Sequence, residues 1–330
     1  MAQAKSKHTT ISKVQHQSLS AGADIKTANL VAIRHLASLL PIHKQKKVLN
    51  DMAGIHTSNL RGRGVDFSEV RSYQAGDDIR AMDWRVTARH QKPHIKVFHE
   101  ERERPIMIVC DLRSSMFFGT QHAFKSVLAA DVASLFSWSA LNNGDRIGAL
   151  LFDNTREIDI RPKPGRKQIM HILHELAEFK QQQQAPEETQ YTSRLADMCR
   201  HVRQVIRPGS TVFFISDWQD FDQDCERQLH KISKSNDVVA LNIFDAFEQN
   251  ILPLGSYPLT DGNQRMQLEC YSKTQGIAHQ QAFEQRQQDL KNRTLKLGIP
   301  LISLQAQGDI ISDLRTGLGL SQSAMNKGGN

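Results

Sequence analysis

The chain has 330 residues, of which 39% are hydrophobic and 23% are charged. This composition is that of an ordinary globular protein, and it excludes a collagen-like, mucin-like or wholly disordered chain. The formal net charge is +7, and residues 1–50, with eight Lys or Arg residues and one acid, hold the whole excess. Such a basic arm either binds an acidic partner, a nucleic acid or a membrane surface, or is a solvated tail.

Membrane and secretory segments are not predicted. The apolar runs are short, Ile106–Cys110 being typical, whereas a membrane-spanning helix needs about 20 apolar residues. Residues 1–17 lack the apolar stretch of a secretory signal. The four cysteines have no C-x-x-C spacing, so neither a zinc ribbon nor a thioredoxin-like motif is predicted. We therefore expect no membrane insertion and a cytoplasmic protein with reduced thiols.

Four segments are predicted along the chain. Residues 1–28 read as a basic, flexible tail. Residues 29–104 are predicted to form a helix, over 30–40, and a loop-rich segment with a short strand at 95–98, all packed on the main domain. The main domain itself covers 105–316, and 317–330 form a second flexible tail.

In the main domain, short apolar segments alternate with helical patterns. Strands are predicted at 106–110, 147–152, 157–160, 212–215, 238–244 and 301–304, helices at 122–141, 167–179, 193–206, 222–231 and 274–297, and a hairpin at 251–270. This alternation predicts an α/β fold with a doubly wound, mostly parallel sheet and helices on both faces. Ligands of such sheets bind at the carboxyl ends of the strands.

Two of the apolar strands lead directly into an acid. Asp111 follows the strand at 106–110, and Asp217 follows the strand at 212–215. Thr192 or Ser193 can cap the helix that lies between them in the chain and can present a hydroxyl. Carboxylates and hydroxyls suit a divalent cation such as Mg²⁺, Mn²⁺ or Ca²⁺. Alternatively, both acids simply cap the helices that follow them.

These residues resemble a known site and a known family. The run from Asp111 to Met116, with Thr192 and Asp217 further on, resembles the metal-ion-dependent adhesion site of von Willebrand factor A domains. The signature segment, residues 61–89, contains RGRGVDFSEVRSYQAGDDIR, MDWR and TAR. It looks like the signature of the bacterial domain of unknown function 58 family. This resemblance implies a von Willebrand A-like domain that works with a MoxR-type AAA+ ATPase, as a chaperone or maturation factor, on a client protein.

The resemblance also implies site residues. If a metal binds, its ligands are Asp111, Ser115, Thr192 and Asp217. The pattern requires a hydroxyl where this chain has Arg113, and an arginine opposes cation binding because it stays charged and cannot act as a ligand. We therefore expect a degenerate site, in which Arg113 forms a salt bridge with Asp111 or Asp217, or meets a partner carboxylate. The predicted partner-binding residues are Arg113, Ser114, Asp217 and Trp218.

The signature segment is predicted to be structural. Residues 61–104 contain ten basic and eight acidic residues, which favours internal ion pairing over phosphate binding. Trp84 among them is interpreted as a core anchor. The residues assigned to this structural role are Arg71, Tyr73, Gly76, Asp77, Asp78, Arg80, Asp83, Trp84 and Arg89. The alternative is a partner-docking surface beside the strand-end site.

Three functions follow from these patterns. The favoured hypothesis is a non-enzymatic interaction module, an adaptor or co-chaperone of a MoxR-type ATPase. The alternatives are a metal-dependent hydrolase that uses the same carboxylates and a nucleic-acid-binding protein that uses the basic arm. The sequence contains no phosphate-binding G-x-x-x-x-G-K-[ST] motif and no G-x-S-x-G nucleophile motif. No catalytic residue is therefore assigned.

Overall fold

The computed structural model of the protein describes residues 19–42, 65–74, 79–90, 92–100, 105–179, 195–250, 254–260 and 265–320. The chain divides into a main unit, Met1–Ile55 with Pro105–Asn330, and a small unit, His56–Arg104. The small unit is therefore an insertion within the sequence of the main unit. Gly76, Asp77, Asp78, Thr192 and Ser193 lie outside the described residues, as do most of the two predicted tails. The predicted docking of the signature segment on the main domain stays a prediction.

The described residues form ten strands and nine α-helices, numbered here in chain order. The strands are β1 (Val65–Ser72), β2 (His94–Glu100), β3 (Ile106–Asp111), β4 (Ile147–Phe152), β5 (Glu157–Lys163), β6 (Thr211–Ser216), β7 (Asp237–Phe244), β8 (Gly255–Thr260), β9 (Arg265–Cys270) and β10 (Leu301–Gln305). The helices are α1 (Thr27–Ala32), α2 (Trp84–His90), α3 (Lys125–Asn142), α4 (Arg166–Glu178), α5 (Leu195–Val205), α6 (Gln223–Ser233), α7 (Ala246–Gln249), α8 (Lys273–Lys296) and α9 (Ile310–Gly317).

A six-stranded sheet forms the centre of the main unit, in the order β10-β7-β6-β3-β4-β5. All neighbouring strands are parallel except β4 and β5, which pair antiparallel at one edge. Strands β3 and β4 are buried along their whole length. Edge strand β5 instead alternates between exposed and more buried side chains. Continuous apolar runs are typical of parallel strands that are covered on both faces, whereas alternation is typical of a half-solvated edge. The predicted fold class is confirmed.

Helices cover both faces of the sheet. One core contains Ile106, Ile108 and Cys110 of β3 together with side chains of α3, α4 and α9. The other core contains Met107 and Val109 of β3 together with side chains of α5, α6 and α8. Successive residues of a strand point to opposite faces, so β3 contributes to both cores and lies between the two helical layers.

The N-terminal segment adds a further layer outside α3. Helix α1 continues as a 3₁₀-helix over Ile33–Leu39. The carbonyl of Leu30 accepts hydrogen bonds from the Ser134 hydroxyl at 2.7 Å and from the Trp138 indole at 3.0 Å. Because this segment covers the side of α3 that faces away from the sheet, residues 125–140 of α3 are all buried.

Part of the predicted N-terminal tail belongs to this layer. The Ser20 amide and hydroxyl donate to the two oxygens of the Asp131 carboxylate on α3, at 2.8 and 2.7 Å. Gly22 forms a β-bridge with Ala123. Assigning residues 19–28 to a flexible tail was wrong, because Ser20 and Gly22 are fixed on the main unit. The sequence did not reveal this because a search for apolar periodicity does not detect polar contacts.

The Asp131 carboxyl gives the fold a pH dependence. Asp131 is 1% exposed. Burial raises its pKa from 3.8 to about 7, although the hydrogen bonds from Ser20 act in the opposite direction. Between these two values the folded protein retains a proton that the unfolded chain has lost. The contribution of Asp131 to stability is therefore largest at acidic pH and falls as the pH rises towards 7.

The quantity to compare is the free energy of unfolding of the wild type minus that of Asp131→Asn. We expect this difference to fall by about 2 kcal/mol between pH 5 and pH 7, because one pKa unit corresponds to about 1.36 kcal/mol. The measurement is urea unfolding at several pH values. The subtraction cancels the other titrating groups, which both proteins share. A difference that stays constant over this range would contradict the raised pKa.

The small unit is an antiparallel pair, β1 and β2, with a short 3₁₀-helix at Ile79–Ala81 and helix α2. An Asp83 carboxylate oxygen accepts hydrogen bonds from the amides of Arg85 and Val86, at 3.0 and 3.2 Å, and so caps α2. The Thr87 hydroxyl accepts a hydrogen bond from the His94 amide at 3.0 Å. This bond attaches α2 to the start of β2.

Candidate functional site

Three acids stand at the carboxyl edge of the central sheet. Asp111 is the last residue of β3, Asp217 directly follows β6, and Asp245 directly follows β7. These strands are neighbours in the sheet, in the order β7-β6-β3. Parallel strands bring their carboxyl ends to the same edge, where ligands of this fold class bind. The predicted placement of Asp111 and Asp217 at one edge therefore agrees with the structure.

Arg113 bridges two carboxylates at this edge. Its Nε and Nη2 donate to the two oxygens of Asp111 at 3.0 and 2.7 Å. Its Nη1 and Nη2 donate to the two oxygens of Asp220 at 2.6 and 2.9 Å. The guanidinium is thus bidentate towards both acids, an arrangement that a lysine cannot reproduce. Asp220 also accepts a hydrogen bond from the Leu195 amide, so it links the bridge to the start of α5.

The bridge keeps Arg113 charged. Burial alone would lower the pKa of the guanidinium, but hydrogen bonds to Asp111 and Asp220 raise it above its ordinary value. Burial raises the pKa of the Asp111 carboxyl, while Arg113 acts in the opposite direction. The pKa of Asp220 is held below its ordinary value because Arg113 outweighs the effect of burial.

Lys125 is a second cation at this edge. It is the first residue of α3, and its side chain is 0% exposed. Its ammonium lies 3.0 Å from Asp217 Oδ2 and 3.0 Å from Glu248 Oε1. Burial alone would lower the pKa of Lys125, but the two carboxylates outweigh burial and raise it. Lys125 is therefore charged at neutral pH and neutralises part of the buried negative charge.

The third acid, Asp245, has a structural role. Its carboxylate caps α7 by accepting a hydrogen bond from the Phe247 amide at 2.8 Å. It also accepts hydrogen bonds from the hydroxyl of Thr120 at 2.6 Å and from the side-chain amide of Gln307 at 2.7 Å. Asp245 thereby ties the loop before α3 to the chain that follows β10.

The loop after β6 contains a strained residue. Trp218 has φ of 56°, in the left-handed region, and is the one non-glycine residue with positive φ among those described. A bulky residue in this conformation is uncommon and has a free-energy cost. Its indole is 5% exposed, donates a hydrogen bond to the Leu241 carbonyl at 3.0 Å, and packs against Phe214 and Phe221. These buried contacts offset the cost of the backbone conformation.

The donor set does not fit a divalent cation. Both Asp111 oxygens accept hydrogen bonds from Arg113, and Oδ2 also accepts one from Ser216 at 2.7 Å. Asp217 is paired with Lys125. In the part of the chain that the structure describes, no three or more His, Cys, Asp or Glu side chains are arranged to hold a metal ion. Ser115 is half-buried, and Thr192 lies outside the described residues.

Several predicted roles need correction. The predicted salt bridge from Arg113 to Asp111 is present, but the second partner of Arg113 is Asp220 and not Asp217. Arg113 is 8% exposed and Trp218 is buried in the core, so neither is placed to meet a partner. Ser114 is exposed, and its amide donates to Asn154 Oδ1 at 2.7 Å. The predicted role of Trp84 as a core anchor is also wrong, because this side chain is 68% exposed.

Sequence reasoning missed three members of this network, namely Lys125, Asp220 and Glu248. Asp220 was visible as a second acid three residues after Asp217. Lys125 was visible as the one Lys or Arg residue of the helix predicted over 122–141. Neither signal identifies the pairing, because each ion pair joins residues about a hundred positions apart in the chain.

The sheet order, the antiparallel edge strand and the helices on both faces define a doubly wound α/β domain. The model of the family described as "Protein of unknown function DUF58" matches residues 69–292. The chain belongs to this family, as the signature segment predicted.

Relatives match the chain over different shares of its length. An uncharacterized protein, Rv1480, from Mycobacterium tuberculosis is 27% identical over 293 residues, which cover 88% of this chain and 89% of that protein. The uncharacterized protein YeaD from Bacillus subtilis is 32% identical over 111 residues, which cover 33% of this chain and 25% of that protein.

One solved structure that the chain resembles is an aerotolerance-related membrane protein from Bacteroides fragilis. The identity is 12% and the TM-score 0.38, with 66% of this chain and 99% of that one covered. Among the described residues of the present chain, no helix has both the length and the apolar character needed to span a membrane.

Proposed function

We propose that this protein is a non-enzymatic interaction module, an adaptor or co-chaperone that works with a MoxR-type AAA+ ATPase in the maturation of a client protein or complex. The observation that supports this proposal most directly is the ion network at the carboxyl edge. Two buried cations, Arg113 and Lys125, are fixed there by four carboxylates. Buried ion pairs add little net stability compared with apolar packing. A network of this kind at the ligand-binding edge therefore favours a role in recognition.

The docking face that we propose consists of Ser114, Gln219 and Asp220. Ser114 and Gln219 are exposed, and the Asp220 side chain is 39% exposed although it is fixed by Arg113. Buried contacts hold the Trp218 backbone in its strained conformation. Gln219 is the next residue in the chain, so its position is fixed as well. A cleft beside Asp217, lined by Phe244, Phe283 and Arg286 among others, extends this surface. The face presents hydrogen-bonding groups and one held carboxylate, so it suits a polar or basic partner surface and needs no metal.

Gln219→Arg tests the docking face. It places a bulky cation on the face without touching the buried network, and we expect the affinity for the MoxR-type ATPase of the same genome to fall about tenfold, or about 1.4 kcal/mol. Titration calorimetry with nucleotide-free ATPase and EDTA measures this affinity. The matched control is Asn142→Arg, at the exposed end of α3, on the opposite edge of the sheet. Equal binding by both variants would contradict the proposed face, and no binding by the wild type would contradict the proposed function.

A further inference from the structure

The three tryptophans of this chain lie in different surroundings. Trp138 is 4% exposed and Trp218 is 5% exposed, and each indole donates a hydrogen bond to a buried backbone carbonyl. Trp84, in the small unit, is 68% exposed. Ile79, five residues earlier, is 62% exposed. Two large apolar side chains that are this exposed within six residues of the chain mark a candidate binding site.

The structure of the small unit explains why Trp84 points outward. Helix α2 begins at Trp84 and is attached to β2 through the Thr87 hydroxyl. Successive helical residues are about 100° apart around the axis. The exposed residues Trp84, Arg85, Ala88 and Arg89 therefore share the outer side of α2. Val86 and Thr87 are more buried and lie on the inner side.

Exposed basic residues flank Trp84 in the chain. Residues 79–95 contain Arg80, Arg85, Arg89 and Lys92, all exposed, and a single acid, Asp83. The Asp83 carboxylate caps α2 and is half-buried. We call the set Ile79, Arg80, Trp84, Arg85, Ala88 and Arg89 the Trp84 surface. It combines two large apolar side chains with three arginines.

We propose that the Trp84 surface is a second docking site, which binds an acidic segment of a protein partner and inserts the Trp84 indole into an apolar pocket of that partner. This inference rests on the proposed function and adds the chemistry of the partner. Tryptophan and arginine are enriched among the residues that contribute most to protein–protein affinity. The exposed arginines that flank Trp84 in the chain are complementary to carboxylates, which arginines bind in bidentate pairs.

A protein partner fits this surface better than a nucleic acid does. Single-stranded nucleic acids are bound by several aromatic side chains on which successive bases stack. Trp84 is the one large aromatic side chain of the small unit that is exposed among the residues whose side chains the structure describes. Its neighbours on the outer side of α2 are an alanine and two arginines, which suit insertion of one anchor and not a row of stacked bases.

Trp84→Ala is the first test, with the nucleotide-free MoxR-type ATPase as the probe. We expect the dissociation constant to rise at least about tenfold. Tyr271→Ala is the matched control, because Tyr271 is an aromatic residue of the main unit that is 76% exposed, and it should bind like the wild type. Acrylamide quenching of tryptophan fluorescence provides an independent readout. The fluorescence of the wild type minus that of Trp84→Phe gives the signal of Trp84 alone. Acrylamide should quench this signal readily in the free protein and much less in the complex.

A charge-reversal variant tests the acidic character of the partner. Arg85→Glu with Arg89→Glu should weaken binding at low salt and reduce its dependence on salt, since exposed charge pairs are screened. Lys231→Glu with Lys234→Glu, at two exposed positions at the end of α6, is the charge-matched control. A single-stranded oligonucleotide of mixed sequence serves as the rival probe in the same quenching assay.

Each outcome distinguishes the two proposals. Loss of affinity in Trp84→Ala, together with protection of Trp84, supports the docking surface. Equal affinity of Trp84→Ala and wild type overturns the surface and leaves the proposed function standing, whereas no binding by the wild type overturns both. Protection of Trp84 by the oligonucleotide, or a Trp84 that is not quenched in the free protein, also overturns the surface.

Discussion

Replacing Arg113 with serine should destabilise the protein in the absence of metal and make its stability depend on divalent cations. Removal of one member of a buried ion pair costs about 3–5 kcal/mol, because the remaining charge is left without compensation. Asp111 is 0% exposed and takes two side-chain hydrogen bonds from Arg113. The variant places a hydroxyl where the adhesion-site pattern has one and removes the guanidinium from both Asp111 oxygens, while the amide of residue 113 still donates to Oδ1.

Magnesium or manganese should then restore part of the lost stability. A ligand that binds the folded state alone stabilises it by about 2.7 kcal/mol at a hundredfold excess over its dissociation constant. For the wild type we expect no shift of the thermal midpoint with Mg²⁺, Mn²⁺ or Ca²⁺, because Arg113 and Lys125 already neutralise the acids.

Urea unfolding and thermal melts with EDTA or added metal measure both effects. Arg113→Ser combined with Asp111→Asn is the matched control, since it lacks the central carboxylate and should not respond to metal. A wild type that is stabilised by metal as strongly as Arg113→Ser would show that the guanidinium does not take the place of a cation.

Lys125→Met should also lower the free energy of unfolding by about 3–5 kcal/mol. The substitution keeps the length and the apolar part of the side chain but removes the charge between Asp217 and Glu248. Asp217 is 3% exposed and Glu248 17% exposed, so water compensates little for the missing ammonium. The two carboxylates are then left as a pair of like charges without their shared cation.

The double variant Lys125→Met with Asp217→Asn should recover part of this loss, because it removes one of the uncompensated charges. Lys167→Met is the control. Lys167 is likewise in the first turn of a helix, α4, but is exposed, and its replacement should change stability by less than about 0.5 kcal/mol. If Lys125→Met unfolds at the same urea concentration as Lys167→Met and the wild type, Lys125 does not stabilise the network.

The sequence predicts the sheet well because its signal is local. Runs such as Ile106–Cys110 are apolar at every position, which is typical of strands buried on both faces. The acids that follow them are placed correctly for the same reason, since the carboxyl ends of parallel strands meet at one edge. Arg113 stands where the adhesion-site pattern has a hydroxyl, and this departure already predicted that a side-chain cation pairs with Asp111 in place of a metal ion.

The other parts of the site depend on contacts between distant segments. The partner of Lys125 on α7, Glu248, lies 123 positions away in the chain, and no local pattern reports this pairing. Trp84 shows the opposite error. Its apolar character predicted burial, but α2 is short and only its inner side rests on β2. Whether a residue is exposed depends on which side of its helix has a neighbour.

The layer formed by residues 19–42 has a consequence for how the chain folds during synthesis. Ser20 contacts Asp131 and Leu30 contacts Ser134, across 111 and 104 positions. These residues leave the ribosome early, but α3, on which they pack, is made about a hundred residues later. In the interval the whole of the small unit, residues 56–104, is synthesised. Contacts between residues this far apart in the sequence form slowly. The apolar side of the N-terminal segment therefore remains exposed during that interval. A nascent chain in this state is open to capture by chaperones or to aggregation.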